Sequence, residues 1–187
     1  MVGGNAYHPQ QSTCDSQCWM VKETQTGQAK GLNLVYVDDF LLLTEAGPVR
    51  ENLKTALRKT WAIGSETELT KGVSLGFIGL ELDQESDGTL RIHQTTFCRS
   101  LLAKHGMDST CKSVTTIQVG HPEGEREPTA EELRALQSFA GEFNWLSTRT
   151  RPDIAYFTSL LASSLAKCPD WALALAKRIV RHPIRNR

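Results

Sequence analysis

The chain has 187 residues, 40% of them hydrophobic, with 21 Lys and Arg set against 21 Asp and Glu. That length suits one ordinary domain or a little more, with enough apolar residues for a core. Charge neutrality argues against a strong, autonomous nucleic-acid binder, since phosphate contacts need a local positive excess, and no apolar run reaches the roughly 18 residues of a membrane span.

In chain order, residues 1–30 are polar and rich in Gln, Thr and Ser, an irregular segment with a possible short strand at Cys18 to Val21. No charged stretch followed by an apolar core marks a leader there. The cysteines (Cys14, Cys18, Cys98, Cys111, Cys168) are scattered and odd in number. They argue against a disulfide scaffold and for a reducing, intracellular setting, cytoplasmic or nuclear. Cys14 and Cys18 with nearby His8 lack the second ligand pair that zinc requires.

The run "LNLVYVDDFLLL" follows. Leu32 to Val37 and Phe40 to Leu43 are apolar and suited to strands, with Asp38-Asp39 as a tight connection. Two carboxylates in mid-run argue against a buried helix, which would bury them too. On spacing alone such a tip is a solvated acidic turn or a site for a hard divalent cation, which prefers oxygen ligands. A further carboxylate from another strand is needed for two metals, since adjacent strand residues point to opposite faces.

Gly47-Pro48 opens a helix carrying Val49, Leu53, Ala56, Leu57 and Trp61 at helical spacing. "SLGFIGLELDQESDGTLRIHQ" reads as strand, Asp87-Gly88 turn and strand. Leu80 and Leu82 alternate there with Glu81 and Asp83, and Glu81, Asp83 and Glu85 share one face as exposed strand acids. A helix is expected from Thr95 to Met107, then a loop from Lys112 to Pro128. Thr129 and Glu132 form a capping box for a helix with Leu133, Leu136, Ala140, Phe143 and Leu146. Pro152 suits the first turn of another, with Ile154, Phe157, Leu160 and Leu161 facing in. Asp153 favours the N-terminus of that helix through the macrodipole. Pro169-Asp170 starts a last helix with Trp171, Ala174, Leu175 and Ile179 apolar, and Pro183 stops it. Between Trp171 and Arg187 there are Lys177, Arg178, Arg181, Arg185 and Arg187 and no acid. Sheet first and helices second is the α+β pattern.

The series YVDD hairpin, helix, "FIGLEL", a DG turn, "IHQTTFCRSLLAKHGM" and "LSTRTRPDIAYFTSLLASSLAKCPDWALALAKRIVRH" resembles, in order and spacing, the reverse transcriptase of copia-type long-terminal-repeat retrotransposons. The resemblance covers about residues 31 to 182. It implies a partial palm of antiparallel hairpins plus a helix over 31–93, and a helical thumb and connecting region over 94–187. Asp38 and Asp39 then correspond to catalytic, metal-binding aspartates for Mg²⁺ or Mn²⁺. Tyr36 and Val37 pack near the primer end and support the turn. Phe77, Ile78 and Gly79 sit where the primer grip is expected. Lys177, Arg178 and Arg181 are candidate phosphate contacts, weighed against a solvated charged face. The implied partner is an RNA or DNA primer–template.

The chain also departs from that pattern. The family's other catalytic aspartate lies farther upstream, and only Asp15 precedes Asp38. The basic fingers are missing from these residues, and Pro183 to Arg187 breaks the family's continuation. The expectation is a reverse transcriptase portion that is inactive alone and pairs with an upstream palm and fingers portion. The alternative is a non-catalytic nucleic-acid-binding or protein-interaction module derived from a retroelement.

Overall fold

A computed structural model of the chain describes residues 6–106 and 116–182. Two compact units divide it, residues 1–79 and residues 80–187. The class is α+β, with antiparallel sheets and, among the described residues, five α-helices.

The first unit is built on a four-stranded antiparallel meander, β1 (Tyr7–Gln11), β2 (Cys18–Glu23), β3 (Ala29–Tyr36) and β4 (Asp39–Thr44), in that spatial order. The expected short strand at Cys18 to Val21 is present within β2, and β1, which was not expected, pairs with it and lengthens the sheet that the apolar run begins. The polar composition concealed β1, whose residues are mostly exposed. Between β1 and β2, Asp15 closes a turn, its Oδ1 accepting the Gln17 N–H at 2.8 Å. The β2–β3 ladder shifts register at Val21/Lys22. In the β3–β4 ladder Gly31 faces Thr44. A Cβ at Gly31 would lie 2.5 Å from Thr44 Cγ2 and 2.9 Å from the Leu43 carbonyl oxygen, so only glycine fits.

Helix α1 (Pro48–Thr60) starts after Gly47, at φ 112°, with Pro48 at its first position. It lies against β4. Trp61, at its C-terminal cap, meets the Phe40 ring at 5.5 Å between centroids. Val49 is buried, whereas Ala56, expected on the apolar face, is exposed. The helix is also held from its polar side: Arg50 pairs with Glu68, and Lys54 and Arg58 share Glu66. Among the described residues of this unit only Val21, Glu23, Val49 and Phe77 are buried. "GFIGLEL" is not one strand. A short β5 (Leu75–Phe77) ends at Ile78 and Gly79, both at positive φ, 47° and 75°.

The second unit opens with β6 (Leu80–Gln84) and β7 (Leu90–His93), paired antiparallel from Glu81↔His93 to Gln84↔Leu90. Gly88 adopts the positive φ expected of the Asp-Gly pair, at 88°. The connection is longer than a two-residue turn: Glu85 N–H bonds to the Thr89 carbonyl, and Asp87 Oδ1 accepts the Thr89 N–H. Four helices follow: α2 (Thr95–Lys104), α3 (Ala130–Ser147), α4 (Ala155–Ser164) and α5 (Pro169–Arg181). A 3₁₀ turn, Pro152–Ile154, precedes α4. The capping box at α3 is present in both directions, Glu132 N–H to Thr129 Oγ1 and Thr129 N–H to Glu132 Oε2.

The core of this unit is assembled from Leu101 on α2, Leu136, Phe139, Phe143 and Leu146 on α3, Ile154, Leu161 on α4, and Ala172, Leu175, Ala176 and Ile179 on α5. Phe143, Leu146, Ile154, Leu161 and Ile179 have no exposed surface. On α5 the buried stripe is rotated from the expected one: Ala174 is exposed, and Ala172, Ala176 and Val180 are buried. Pro183 and Cys111 lie outside the described residues.

One arginine joins the helix starts. Arg126 donates to both Glu132 oxygens and to both Asp170 oxygens, at 2.7–3.0 Å, tying the first turns of α3 and α5 together. Hydrogen bonding from Arg126, and then from the Thr129 N–H, draws the Glu132 carboxyl from its ordinary 4.5 down to about 2. Asp170 is lowered by the same guanidinium.

Two outcomes are expected. Phe143→Ala removes a fully buried ring and should lower unfolding free energy by about 3–5 kcal/mol, read by urea denaturation; a loss below ~1 kcal/mol would show that the helices do not close on this ring. A depressed carboxyl contributes stability that is full above its unfolded pKa and is lost as pH falls through the folded one. The thermal-stability gap between the native chain and Arg126→Ala should therefore be largest above pH 4.5 and narrow towards about pH 2. A gap independent of pH in that window would refute the clasp.

Candidate functional site

The β3–β4 ladder runs from Gly31↔Thr44 to Tyr36↔Asp39. Its loop is thus Val37-Asp38 and not Asp38-Asp39: Asp38 sits in the turn and Asp39 is the first residue of β4. A two-residue hairpin loop needs positive φ at its first central position, where Gly, Asn or Asp are the usual residues. Here Val37 takes it, at φ 53°. A β-branched side chain in that region is a true outlier, and the strain is on the order of 1–3 kcal/mol. Packing does not repay it locally, because Val37 is 77% exposed.

Pairing and pleat sort the side chains. Tyr36, Leu34 and Leu32 share a face with their partners Asp39, Leu41 and Leu43. Phe40 and Leu42 take the other face, the one on which Phe40 meets Trp61. Asp39 therefore points away from α1. Tyr36, Val37, Asp38 and Asp39 are all exposed, and among the described residues neither carboxylate has a hydrogen-bond or ion-pair partner. The tip presents two bare, hard oxygen donors with an aromatic side chain beside them. Such donors suit Mg²⁺ or Mn²⁺, which bind one or two carboxylates plus phosphate oxygens and water. Among the described residues no group of three His, Cys, Asp or Glu side chains is placed to hold a metal ion. Asp15 is engaged in its own turn.

The other candidate residues fall into distinct environments. Phe77 is 8% exposed, with its ring packed inside. Ile78 and Gly79 form the turn after it, and Ile78 is the second β-branched residue at positive φ. Lys177, Arg178 and Arg181 are exposed on α5. Arg178 already donates through Nη1 to the Gln118 carbonyl at 2.7 Å, which keeps its charge unneutralised.

Glu81, Asp83 and Glu85 are not idle strand acids. Glu81 accepts from Thr96 N–H at 2.7 Å and from Thr96 Oγ1 at 2.8 Å, holding the first turn of α2. Asp83 accepts from Arg91 at 2.7 Å and lies 2.8 Å from His93 Nε2, whose Nδ1 meets Thr95 Oγ1. Glu85 pairs with Arg91. Arg151 makes a two-pronged contact with Asp153 and lowers its carboxyl; the Asp153 carboxylate also meets His182 at 3.3 Å. Burial pushes the Cys98 thiol up to about 11, which leaves it a poor nucleophile.

Two features escaped the sequence reading. Glu142 on α3 holds both Lys104 and His105, and the His105 ring stacks on Phe139 at 3.8 Å. A cavity of about 200 Å³ opens beside α5, walled by Trp171 and Arg178. Their spacing of seven places both on one helix face, and that spacing was the available signal.

No family model, curated protein or solved structure matches the chain.

The strain at Val37 has a measurable consequence. Val37→Gly removes the Cβ conflict and adds about 0.5–1 kcal/mol of unfolded-chain entropy. The net change expected in urea denaturation is stabilisation by about 0.5–2 kcal/mol. A destabilised Val37→Gly would mean the tip conformation is not strained.

Proposed function

We propose that the chain is a palm and thumb portion of a copia-type RNA-directed DNA polymerase, contributing Asp38 and Asp39 to a two-metal nucleotidyl-transfer site. The observation that supports this most is Val37 at φ 53° on an exposed tip between Tyr36 and Asp38. An acidic turn with no task has no reason to keep a β-branched residue there, since Asn or Gly closes the same loop without strain. The fixed turn instead aims two unpaired carboxylates from a strand end, and rigid elements hold charge where a reacting group must sit.

In this reading Asp38 and Asp39 hold Mg²⁺ or Mn²⁺, which when bound supplies charge neutralisation for the attacking 3′-hydroxyl and the leaving pyrophosphate. Tyr36 lies against the primer end, and the Ile78-Gly79 turn takes the primer-grip position. RNA or DNA primer–template is the substrate, and an upstream palm and fingers portion supplies the remaining carboxylate and the nucleotide contacts. The work is done inside the cell, in cytoplasm or nucleus, which suits the free, buried Cys98 and Cys168. Among the described residues no helix is long and apolar enough to cross a membrane.

The second reading is a non-catalytic nucleic-acid-binding module, favoured by the exposed basic residues of α5.

Primer extension tests the first reading. The 187-residue chain alone should give no template-dependent product on RNA with Mg²⁺ or Mn²⁺. Joined to a copia-type fingers and first-palm segment it should extend a primer, and Asp38→Asn should slow that by on the order of a hundredfold or more. Extension indifferent to Asp38→Asn would remove the polymerase assignment. Asp38-dependent extension by the chain alone would remove the need for an upstream portion.

A further inference from the structure

The cavity beside α5 is a half-open cleft that combines an aromatic wall with charge. Its volume is about 200 Å³, and Val119, His121, Glu123, Trp171, Leu175 and Arg178 line it. Pockets for drug-sized ligands run to ~300–1,000 Å³, so this one suits a single planar ring. Trp171 is half-buried and packs on the helical core, which fixes its ring as a wall. The segment carrying Val119 and His121 is pinned to α5 where Arg178 Nη1 donates to the Gln118 carbonyl at 2.7 Å.

The rim is positive. Trp171, Ala174, Arg178 and Arg181 follow a spacing of three, four and three, which lays them along one helix stripe, with Lys177 beside it. Elsewhere in this unit Arg91, Lys104, Arg126 and Arg151 each hold a carboxylate. Lys177, Arg178 and Arg181 hold none among the described residues. The helix has one acid, Asp170, and Arg126 occupies both of its oxygens. A stacking wall beneath three uncompensated cations is the pattern of a site for single-stranded nucleic acid, where an aromatic takes a base and a basic groove tracks the backbone.

We propose that this cavity receives one unpaired base of a single-stranded nucleic acid, stacked on Trp171, with Lys177, Arg178 and Arg181 meeting the flanking phosphates. Glu123 on the wall only accepts hydrogen bonds, so its carboxylate favours the two amino N–H groups of cytosine over the single imide N–H of thymine. The site lies wholly within residues 117–181 and does not rest on the polymerase reading.

Fluorescence anisotropy with end-labelled (dC)₁₂ and (dT)₁₂ tests it on the full chain. The expected result is salt-dependent binding that is tighter for (dC)₁₂. Trp171→Ala should weaken binding about five- to a hundredfold with the salt slope unchanged, while Trp171→Phe retains most of it. Lys177→Gln with Arg181→Gln should flatten the slope of log affinity on log salt by about 0.7 per charge removed. Glu123→Ala should erase the preference for (dC)₁₂. Thermal melts of every variant separate lost binding from lost folding, and Lys59→Gln, on the exposed side of α1, should bind as the native chain does. Equal affinity in a folded Trp171→Phe and a folded Trp171→Ala would overturn the stack. Binding to a duplex as tight as to the single strand, or binding of free dCMP alone, would overturn the site.

Discussion

A two-residue loop closes an antiparallel ladder only if its first residue turns through positive φ. Everything particular about the YVDD hairpin follows from that constraint. Val37 accepts the turn, at φ 53°, and so the ladder ends at Tyr36↔Asp39. At the opposite end Gly31 admits the close approach of Thr44, where a Cβ would stand 2.5 Å from Thr44 Cγ2. The register is thus pinned at both ends. A slip by one residue would send Asp39 to the face of Phe40 and Trp61 and send the half-buried leucines of the other face to the opposite side. The strain at one residue and the missing Cβ at another are what decide where two carboxylates point.

The two units stabilise themselves differently. The helical unit closes a core in which Phe143, Leu146, Ile154, Leu161 and Ile179 lose all contact with solvent, each worth about 1.5–3 kcal/mol by burial. The sheet unit is mostly half-buried: residues Leu32 to Val35 on β3 and Leu41 to Leu43 on β4 are intermediate in exposure. A one-helix cover against a four-stranded sheet cannot enclose both faces. Salt bridges from Arg50, Lys54 and Arg58 to Glu66 and Glu68 fasten the segment after α1 back onto the helix, but exposed pairs of this kind contribute little each. The rigidity of the tip therefore comes from backbone pairing more than from packing, and β1 and β2 matter because they extend the ladder behind it.

Much of this was legible beforehand, for reasons that differ by element. Thr129 and Glu132 announced their helix because a capping box is a local, reciprocal pattern. The hairpin around Asp38 and the Gly88 turn were legible through apolar runs and turn chemistry. The misses share a cause: they depend on partners distant in sequence. β1 is polar and forms because β2 is there to pair with it. The break at Ile78-Gly79 was hidden because isoleucine is a strong strand former, and only the fold imposes positive φ on it. Ala174, expected inside, is exposed because the α5 stripe is set by what α3 and α4 present. Asp83 looked like an exposed acid, since its partner His93 is reached only through the β6–β7 register.

Net charge was the least informative quantity, and the reason is pairing. Twenty-one cations against twenty-one anions implies no preference for phosphate. In space the charges are sorted. Arg126 consumes Glu132 and Asp170, Lys104 and His105 share Glu142, and Arg91 takes Asp83 and Glu85. Among the charges left without an ion-pair partner in the described residues are the acidic pair at the hairpin tip and the basic stripe on α5. A paired charge has little field beyond its partner, whereas an unpaired one reaches about a Debye length, roughly 8–10 Å, at ordinary ionic strength. The chain is neutral as a sum, while single elements keep charge that no partner offsets. The groups left over after internal pairing, and not the totals, are the ones available to metal and phosphate.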